Sequence, residues 1–232
     1  MNIKAYIPNA LTCSNLVCGC LGIIEVLEGN LIWAPYLIWL AAFFDFLDGF
    51  AARALKVSSP IGGELDSLAD MVTFGVLPAM LLFKMIAMAT VTAWVPYLAF
   101  VVAIFSAIRL AKFNVDTRQT TSFIGLPTPA NALFISSFPL ILGQSPDALL
   151  GGLRYDFIAN PYFLISIAFA LSFLLVAELP LFALKFKNYT WADNKLKFIF
   201  LLVSVVLIFI LKFVAIPLII ILYILLSLIK KS

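Results

Sequence analysis

The sequence predicts an all-α integral membrane protein made of one domain. Its 232 residues are 64% hydrophobic and only 12% charged, an apolar share well above the roughly 45–50% of an ordinary soluble domain. The mean hydropathy is +1.12. Eight apolar stretches follow one another with short connections, and most approach the about 20 residues that a helix needs to cross the hydrocarbon. Little chain is left for a second domain, so residues 1–232 are treated as a single transmembrane unit.

The apolar stretches are taken in chain order as eight transmembrane helices. Pro60, Gly62 and Gly63 favour a turn, so the second and third spans are expected to form an antiparallel hairpin over residues 31–88. The last two spans are short, and the boundary between them at 212–217 is the weakest of the series. The predicted spans are 9–28, 31–54, 64–88, 92–113, 126–143, 160–178, 196–212 and 214–229.

The basic residues predict the orientation of the chain. If the N-terminus is inside, only Lys84, Arg154 and Lys212 of the 15 lysines and arginines fall outside, as expected because basic residues concentrate in short cytoplasmic loops. We therefore expect a multi-pass protein of the cell membrane whose termini and candidate site face the cytoplasm. The net charge of +3 reflects this bias and the attraction of anionic lipid head groups, so no nucleic-acid partner is expected.

Four aspartates lie in the second and third spans, where acidic side chains are costly and need a partner. Asp45 and Asp48 are three residues apart, and Asp66 and Asp70 are four apart, so each pair shares one face of a helix. Four converging carboxylates repel one another, and Mg²⁺ or Mn²⁺ are suitable cations because they prefer oxygen ligands. Since the chain contains no histidine, Ser/His triads and His-ligated zinc are excluded.

Small and basic residues accompany these acids. Asp48 lies six residues before Ala54, a depth of roughly 9 Å that a lipid phosphate can reach. Gly49 and Ala52 would let a ligand approach the backbone, and Arg53 offers a planar cation for phosphate oxygens. Taken singly, the small residues also suit close helix packing and the arginine suits a membrane anchor. Together with the aspartates they predict a site for metal and phosphate.

The same segment resembles a known family. Between residues 45 and 70 the chain matches, without departure in residue or spacing, the motif D-x2-D-G-x2-A-R-x8-G-x3-D-x3-D of the CDP-alcohol phosphatidyltransferases. The resemblance implies a membrane transferase, usually a homodimer, that moves a phosphatidyl or related group from a CDP-linked donor to an alcohol. It also implies a core of six helices, so the pair of spans at about 196–229 would lie outside that core. The matching positions are Asp45, Asp48, Gly49, Ala52, Arg53, Gly62, Asp66 and Asp70.

The resemblance implies a role for each matching residue. Two divalent ions, Mg²⁺ or Mn²⁺, would bind to Asp45, Asp48, Asp66 and Asp70, and Asp70 would also accept the proton of the attacking alcohol. Asn9 and Thr12 either belong to the donor pocket or only start the first helix, Asn9 as a cap. The residues expected to bind the CDP-lipid are Asn9, Thr12, Gly49, Ala52, Arg53, Ser59 and Gly62.

Three further segments resemble the phosphatidylserine synthase branch of that family. They are P-N-x-x-T-x-x-N-x-x-x-G at 8–19, V-T-F-G-V with a following proline at 72–78, and R-L-A-K-F-N with F-I-G-L-P-T-P within 109–129. The resemblance implies CDP-diacylglycerol as donor and L-serine as acceptor. Arg109 and Lys112 are expected to bind serine, although Lys112 replaces the commoner arginine and Arg109 alone would also suit a snorkelling anchor.

Other functions remain open from the sequence alone. The motif also suits relatives that use glycerol 3-phosphate or an inositol phosphate as acceptor. A cation-coupled transporter could bind its ion with such carboxylates, but it predicts related broken helices in two halves, and the chain has no second acidic motif. An intramembrane aspartyl protease needs one pair of aspartates that share a proton, which does not explain four aspartates and an arginine.

Labelling with a membrane-impermeant maleimide tests the predicted orientation. The native cysteines at 13, 18 and 20 are first replaced by alanine. In that background Asp147→Cys is expected to react in intact cells because its loop would face outward. Asn188→Cys should react only after the membrane is permeabilised, since its loop would face the cytoplasm. The reverse pattern would contradict the orientation.

Overall fold

The computed structural model describes residues 6–57, 59–116, 122–144, 157–182 and 190–230, which are largely helical. Every predicted span corresponds to a helical segment in this part of the chain, with its bounds shifted by a few residues. The all-α membrane class is thus confirmed. The helices are α1 (Tyr6–Glu28), α2 (Trp33–Leu55), α3 (Pro60–Asp70), α4 (Leu77–Ala89), α5 (Val101–Val115), α6 (Thr128–Leu142), α7 (Pro161–Val176), α8 (Trp191–Leu211) and α9 (Ala215–Lys230).

Length and composition support a multi-pass membrane protein. Two helices, α6 and α7, are apolar but shorter than the helical segments that are long enough to span a bilayer. Helix α2 has 23 residues and contains two of the four predicted acidic positions, Asp45 and Asp48. The number of membrane crossings stays a prediction. Within the described ranges, the helical segments long and apolar enough to span a bilayer are Tyr6–Glu28, Pro60–Ala89, Val95–Val115 and Asn194–Ile229.

The third span is continuous but changes its winding directly after the last aspartate. Helix α3 ends at Asp70, a π-helical segment covers Met71–Val76, and α4 continues from Leu77. Such segments are rare and are frequently found at functional sites. A methyl group at Gly75 would lie only 3.1 Å from Cβ of Ser106, so α5 packs closely against this wider turn. The sequence analysis did not predict the π-helical segment.

Helix α1 packs against α2, α3 and the π-helical segment. Its contact with the π-helical segment depends on a small residue, because a methyl group at Gly19 would clash with Oγ1 of Thr73 and lie 3.2 Å from Cα of that residue. One turn further along, a methyl group at Gly22 would meet the Leu77 side chain at 2.4 Å. Small residues let membrane helices approach closely. Helix α1 therefore reaches both helices that contain the predicted acidic site.

The main apolar core joins most of the helices and extends to Phe74, four residues after Asp70. Its fully buried side chains include Ile38 of α2, Leu81 and Ile86 of α4, Ile135 of α6 and Leu164 of α7. Such interiors are tightly packed and resist deformation. The core therefore fixes the π-helical segment that directly follows the acidic residues of α3.

A short pair of strands departs from the purely helical prediction. β1 (Ser122–Ile124) pairs antiparallel with β2 (Pro180–Phe182). The turn after β1 depends on Gly125, which has φ 78° and whose added methyl group would lie 2.6 Å from the carbonyl oxygen of Leu175. The backbone N–H of Leu126 donates to the carbonyl of Leu174 at 2.8 Å. The segment after α5 is thereby attached to the end of α7.

The last two helices form a hairpin. The chain leaves helical geometry at Lys212, which has φ 51°, and a short 3₁₀ turn covers Lys212–Val214. The rings of Phe200 and Tyr223 lie 6.0 Å apart, whereas in one straight helix they would be about 34 Å apart. The structure therefore confirms a boundary at the weakest point of the predicted series. Helix α9 also packs against α6 and β2.

The close crossing at Gly19 makes a testable prediction. Gly19→Ala should lower the thermal stability of the purified protein, because overpacking against the backbone of Thr73 costs about 1–3 kcal/mol, or roughly 2–12 °C in the unfolding midpoint. Gly63→Ala is the matched control, since a methyl group there meets nothing within 4 Å. Equal midpoints for the two variants would show that the crossing tolerates a larger residue.

Candidate active site

The structure brings three of the predicted metal ligands together. One carboxylate oxygen from each of Asp45, Asp48 and Asp66 lies within 4.8 Å of those from the other two. Asp48 is buried, and Oδ1 of Asp66 is buried without a hydrogen-bond partner among the described residues. A buried carboxylate oxygen is costly unless it is paired, and clustered carboxylates are ligands for hard divalent cations. The cluster is therefore suited to bind a metal ion.

Asp70, the fourth predicted ligand, lies beside this cluster. It follows Asp66 by one turn of α3, is buried, and interacts electrostatically with Asp45 and Asp66. Its Oδ1 accepts a hydrogen bond from Nδ2 of Asn15 at 3.1 Å. Asp70 is thus held by an amide, whereas the other three carboxylates lie around a common point. Its role as metal ligand and proton acceptor stays a prediction.

Helix α1 supplies the hydrogen bonds that hold the acids. Thr12 Oγ1 donates to Oδ2 of Asp48 at 2.6 Å, while Asn15 donates to Asp70. Thr12 and Asn15 share a face of the helix because they are three residues apart. The hydroxyl of Thr73 in turn donates to the backbone oxygen of Asn15 at 3.2 Å. One face of α1 therefore positions carboxylates from both α2 and α3.

A cavity of about 260 Å³ opens beside Asp48 and Asp66. Six of the seven residues predicted to bind the CDP-lipid line it, and these are Asn9, Thr12, Gly49, Ala52, Ser59 and Gly62. The seventh, Arg53, lies at its edge, because a methyl group at Gly49 would be 3.3 Å from Nη1 of Arg53. The structure thus gathers the predicted donor-binding residues around a single space next to the acidic cluster.

The turn between α2 and α3 forms one wall of this cavity. Helix α2 ends with a left-handed residue, Lys56, at φ 52°, and α3 begins after only a few residues. Ser59 is the N-cap of α3: its Oγ accepts a hydrogen bond from the backbone N–H of Gly62 at 3.0 Å, and Pro60 follows at the first helical position. Both choices are favoured at a helix start. Ser59 therefore has a structural role that the sequence analysis missed.

Arg109 is held inside the protein rather than extended at its surface. Its side chain is buried, Nε donates to the carbonyl oxygen of Leu126 at 2.9 Å, and the guanidinium carbon lies 5.2 Å from the ring centre of Phe113. It also interacts electrostatically with Asp70. These contacts argue against the simple snorkelling anchor and leave Arg109 close to the acidic site.

The two residues predicted to bind serine lie apart from the donor cavity. Arg109 and Lys112 line a second cavity of about 250 Å³, together with the acidic residues Asp116 and Glu178. Helices α5 and α7 form its walls, and among the described residues the two cavities have no lining residue in common. The structure brings Arg109 and Lys112 together, and their binding of serine stays a prediction.

Three contacts near the site were missed in the sequence analysis. Asn15 appeared there only as part of a motif, although its spacing from Thr12 was a usable signal. Nothing local predicted the hydroxyl of Thr73, because it depends on the winding of the π-helical segment. Ser67 Oγ donates to Oδ1 of Asn114 at 3.1 Å, which attaches α3 to the end of α5 and can be seen only in the folded chain.

A family profile described as CDP-alcohol phosphatidyltransferase matches residues 5–174. This match covers most of the chain and includes the whole acidic site described above. The chain belongs to the CDP-alcohol phosphatidyltransferase family. It is accordingly a membrane transferase, and its carboxylate cluster is compatible with the metal dependence of that family.

Individual relatives narrow the comparison. The chain is 41% identical over 142 residues to the CDP-diacylglycerol–serine O-phosphatidyltransferase of Bacillus subtilis, which covers 59% of this chain and 80% of the relative. It is 34% identical over 190 residues to the protein of that name in Methanocaldococcus jannaschii, and this match covers 77% of this chain and 87% of the relative. With the Helicobacter pylori protein of that name, 36% identity over 137 residues covers 55% of this chain and 54% of the relative, about half its length.

The hydrogen bond from Thr12 predicts an effect on metal binding by this phosphatidyltransferase. Thr12→Val keeps the shape of the side chain but leaves Oδ2 of Asp48 without its donor, and losing such a partner typically weakens metal binding about 10–100-fold. The dissociation constant for Mn²⁺, measured by electron paramagnetic resonance, should rise accordingly. Thr12→Ser retains the hydroxyl and should bind close to the wild-type value. Unchanged affinity in Thr12→Val would contradict this role.

Proposed function

We propose that the protein is a phosphatidylserine synthase, which transfers the phosphatidyl group of CDP-diacylglycerol to the hydroxyl of L-serine and releases CMP. The observation that supports this most is the convergence of Asp45, Asp48 and Asp66 beside a cavity lined by the family's donor-binding positions. The relatives named CDP-diacylglycerol–serine O-phosphatidyltransferase support the identity of donor and acceptor.

The proposed cofactors are two divalent ions, Mg²⁺ or Mn²⁺, held by Asp45, Asp48, Asp66 and Asp70. Oδ1 of Asp66, which is buried without a hydrogen-bond partner among the described residues, and the all-oxygen donor set fit such ions. When bound, they would neutralise charge on the diphosphate and on the departing CMP. Helix α1 holds two of the four carboxylates, Asp48 through Thr12 and Asp70 through Asn15.

The donor cavity is proposed to receive the diphosphate and nucleotide of the CDP-lipid. Gly49 and Ala52 leave room along α2, and Arg53 at the cavity edge supplies a planar cation for phosphate oxygens. The N-terminus of α3, capped by Ser59, also faces this cavity. Helix N-termini favour phosphate because free N–H groups and the helix dipole converge there. These features support binding of an anionic diphosphate.

Asp70 is proposed to act as the general base. As the serine oxygen attacks the phosphorus of the phosphatidyl group, Asp70 accepts the hydroxyl proton, and the bond from phosphorus to CMP breaks. Asn15 occupies Oδ1 of Asp70, so Oδ2 is the oxygen available to the acceptor. Direct attack on the donor needs no covalent intermediate on the protein.

The second cavity is proposed to receive serine. Arg109 and Lys112 would bind its carboxylate, and the buried position of Arg109 strengthens a charge pair that water does not screen. The electrostatic interaction between Arg109 and Asp70 supports placing the carboxylate and the reacting hydroxyl of one small molecule between them.

Two further assignments complete the proposal. The active site would face the cytoplasm, because that orientation leaves only Lys84, Arg154 and Lys212 of the basic residues outside. The homodimer implied by the family resemblance is also proposed. Chemical crosslinking in native membranes tests it, and a species that stays monomeric at every crosslinker concentration would contradict it.

Release of CMP by purified protein tests the proposed activity. With CDP-diacylglycerol and Mn²⁺ or Mg²⁺, serine should give CMP, and Asp70→Asn should lower the rate about 100–10,000-fold because the base is lost. Glu64→Gln is the matched control: it removes an exposed carboxylate from the same helix and should leave the rate unchanged.

The alternatives give different results in the same assay. Release of CMP with glycerol 3-phosphate or an inositol phosphate, but not with serine, would keep the family and replace the acceptor. No release with any acceptor, together with metal-dependent ion uptake into vesicles, would favour the transporter.

A further inference from the structure

Asn15 has two polar side-chain atoms next to Asp70, the proposed base, and only one of them has a hydrogen-bond partner among the described residues. Its side chain is completely buried, and Nδ2 donates to Oδ1 of Asp70 at 3.1 Å. Its own Oδ1 has no hydrogen-bond partner within the part of the chain that the structure describes. A buried acceptor without a donor is costly, and such atoms in native proteins call for an explanation. The free oxygen therefore indicates a missing donor.

The orientation of this amide follows from its neighbour. An ionised carboxylate can only accept hydrogen bonds, so the amide must turn its NH₂ group to Asp70 and its oxygen elsewhere. The backbone of Asn15 is fixed by the hydroxyl of Thr73, and Gly19 on the next turn packs directly on Thr73. Asn15 is thus held in place with its side-chain oxygen, Oδ1, adjacent to Asp70, the proposed base.

We propose that the side chain of Asn15 links the base to the acceptor. Its NH₂ group positions Asp70, and its Oδ1 accepts a hydrogen bond from the ammonium group of an amino alcohol. This assignment rests on the proposed function. In serine, the hydroxyl and the ammonium are on neighbouring carbons. A molecule whose hydroxyl donates to Asp70 therefore brings its ammonium within reach of the adjacent amide oxygen.

The chemistry of the two groups is complementary. An ammonium group has three donors and no acceptor, whereas a carbonyl oxygen can only accept. The arrangement would divide the recognition of serine among three side chains: Asp70 takes the hydroxyl, Asn15 takes the ammonium, and Arg109 takes the carboxylate. An acceptor without an amine would leave the buried oxygen of Asn15 unpaired, and such a loss strongly disfavours the wrong substrate.

Steady-state kinetics of CMP release by the purified full-length protein test this assignment. The two acceptors are serine and 3-hydroxypropanoate, which is serine without the amine. Asn15→Leu removes both polar atoms at similar size, so we expect kcat to fall with both acceptors and the serine preference, the ratio of the two kcat/KM values, to fall about 10–100-fold. Ser14→Ala is the control, because Ser14 is only partly buried and, among the described residues, its hydroxyl donates within its own helix to the carbonyl oxygen of Ala10.

A second variant separates the two roles and covers a failure of Asn15→Leu to fold. Asn15→Asp keeps an acceptor oxygen but loses the NH₂ group, so kcat should fall with both acceptors while the serine preference is retained. An unchanged preference in Asn15→Leu, or an equal loss of preference in both variants, would overturn the ammonium contact. An unchanged kcat in both variants would overturn the positioning of Asp70.

The wild-type rates distinguish this inference from the proposed function. If the wild type releases CMP only with acceptors that lack an amine, the proposed function and the role of Asn15 fail together. If it is active with serine and the variants keep both kcat and the serine preference, the role of Asn15 fails alone.

Discussion

The cost of charge at membrane depth is the constraint on which the rest of this structure depends. A carboxylate within an apolar helix must find cations or hydrogen-bond donors, and here several are concentrated on α2 and α3. Helix α1 provides the neutral donors, with Thr12 bonded to Asp48 and Asn15 bonded to Asp70. The close approach that these bonds require explains why α1 has small residues such as Gly19 at its crossing with the third span.

Local chain geometry makes that arrangement possible. The short link between α2 and α3, with a left-handed Lys56 and the Ser59 cap, brings the acidic ends of both helices to the same side of the bundle. The π-helical segment at Met71–Val76 follows directly after Asp70. It contains Thr73, whose hydroxyl donates to the backbone oxygen of Asn15. The apolar core includes Phe74 of this segment, so it packs directly next to the polar site.

The sequence predicted which acidic residues share a helix face because that depends on fixed helical spacing, whereas the residues around the donor cavity were expected from the family motif. Residues three or four apart, such as Asp45 and Asp48, share a face wherever the helix lies. The sequence could not predict the β1–β2 pair, since three-residue strands leave no periodic pattern. Nor could it predict the π-helical segment, which depends on packing against α1 and α5. The unpaired oxygen of Asn15 is likewise a property of the folded chain, as it depends on which way Asp70 turns the amide.

Asp70 interacts electrostatically with two groups of residues that belong to different cavities. Asp45 and Asp66 are part of the acidic cluster beside the cavity lined by Gly49 and Ser59. Arg109 lines the other cavity, between α5 and α7. Because both substrates of a phosphatidyl transfer must be present before the proton moves, two cavities would let either substrate bind without blocking the other. In the proposed reaction, the burial of Asp70 would keep water from the base until the acceptor arrives.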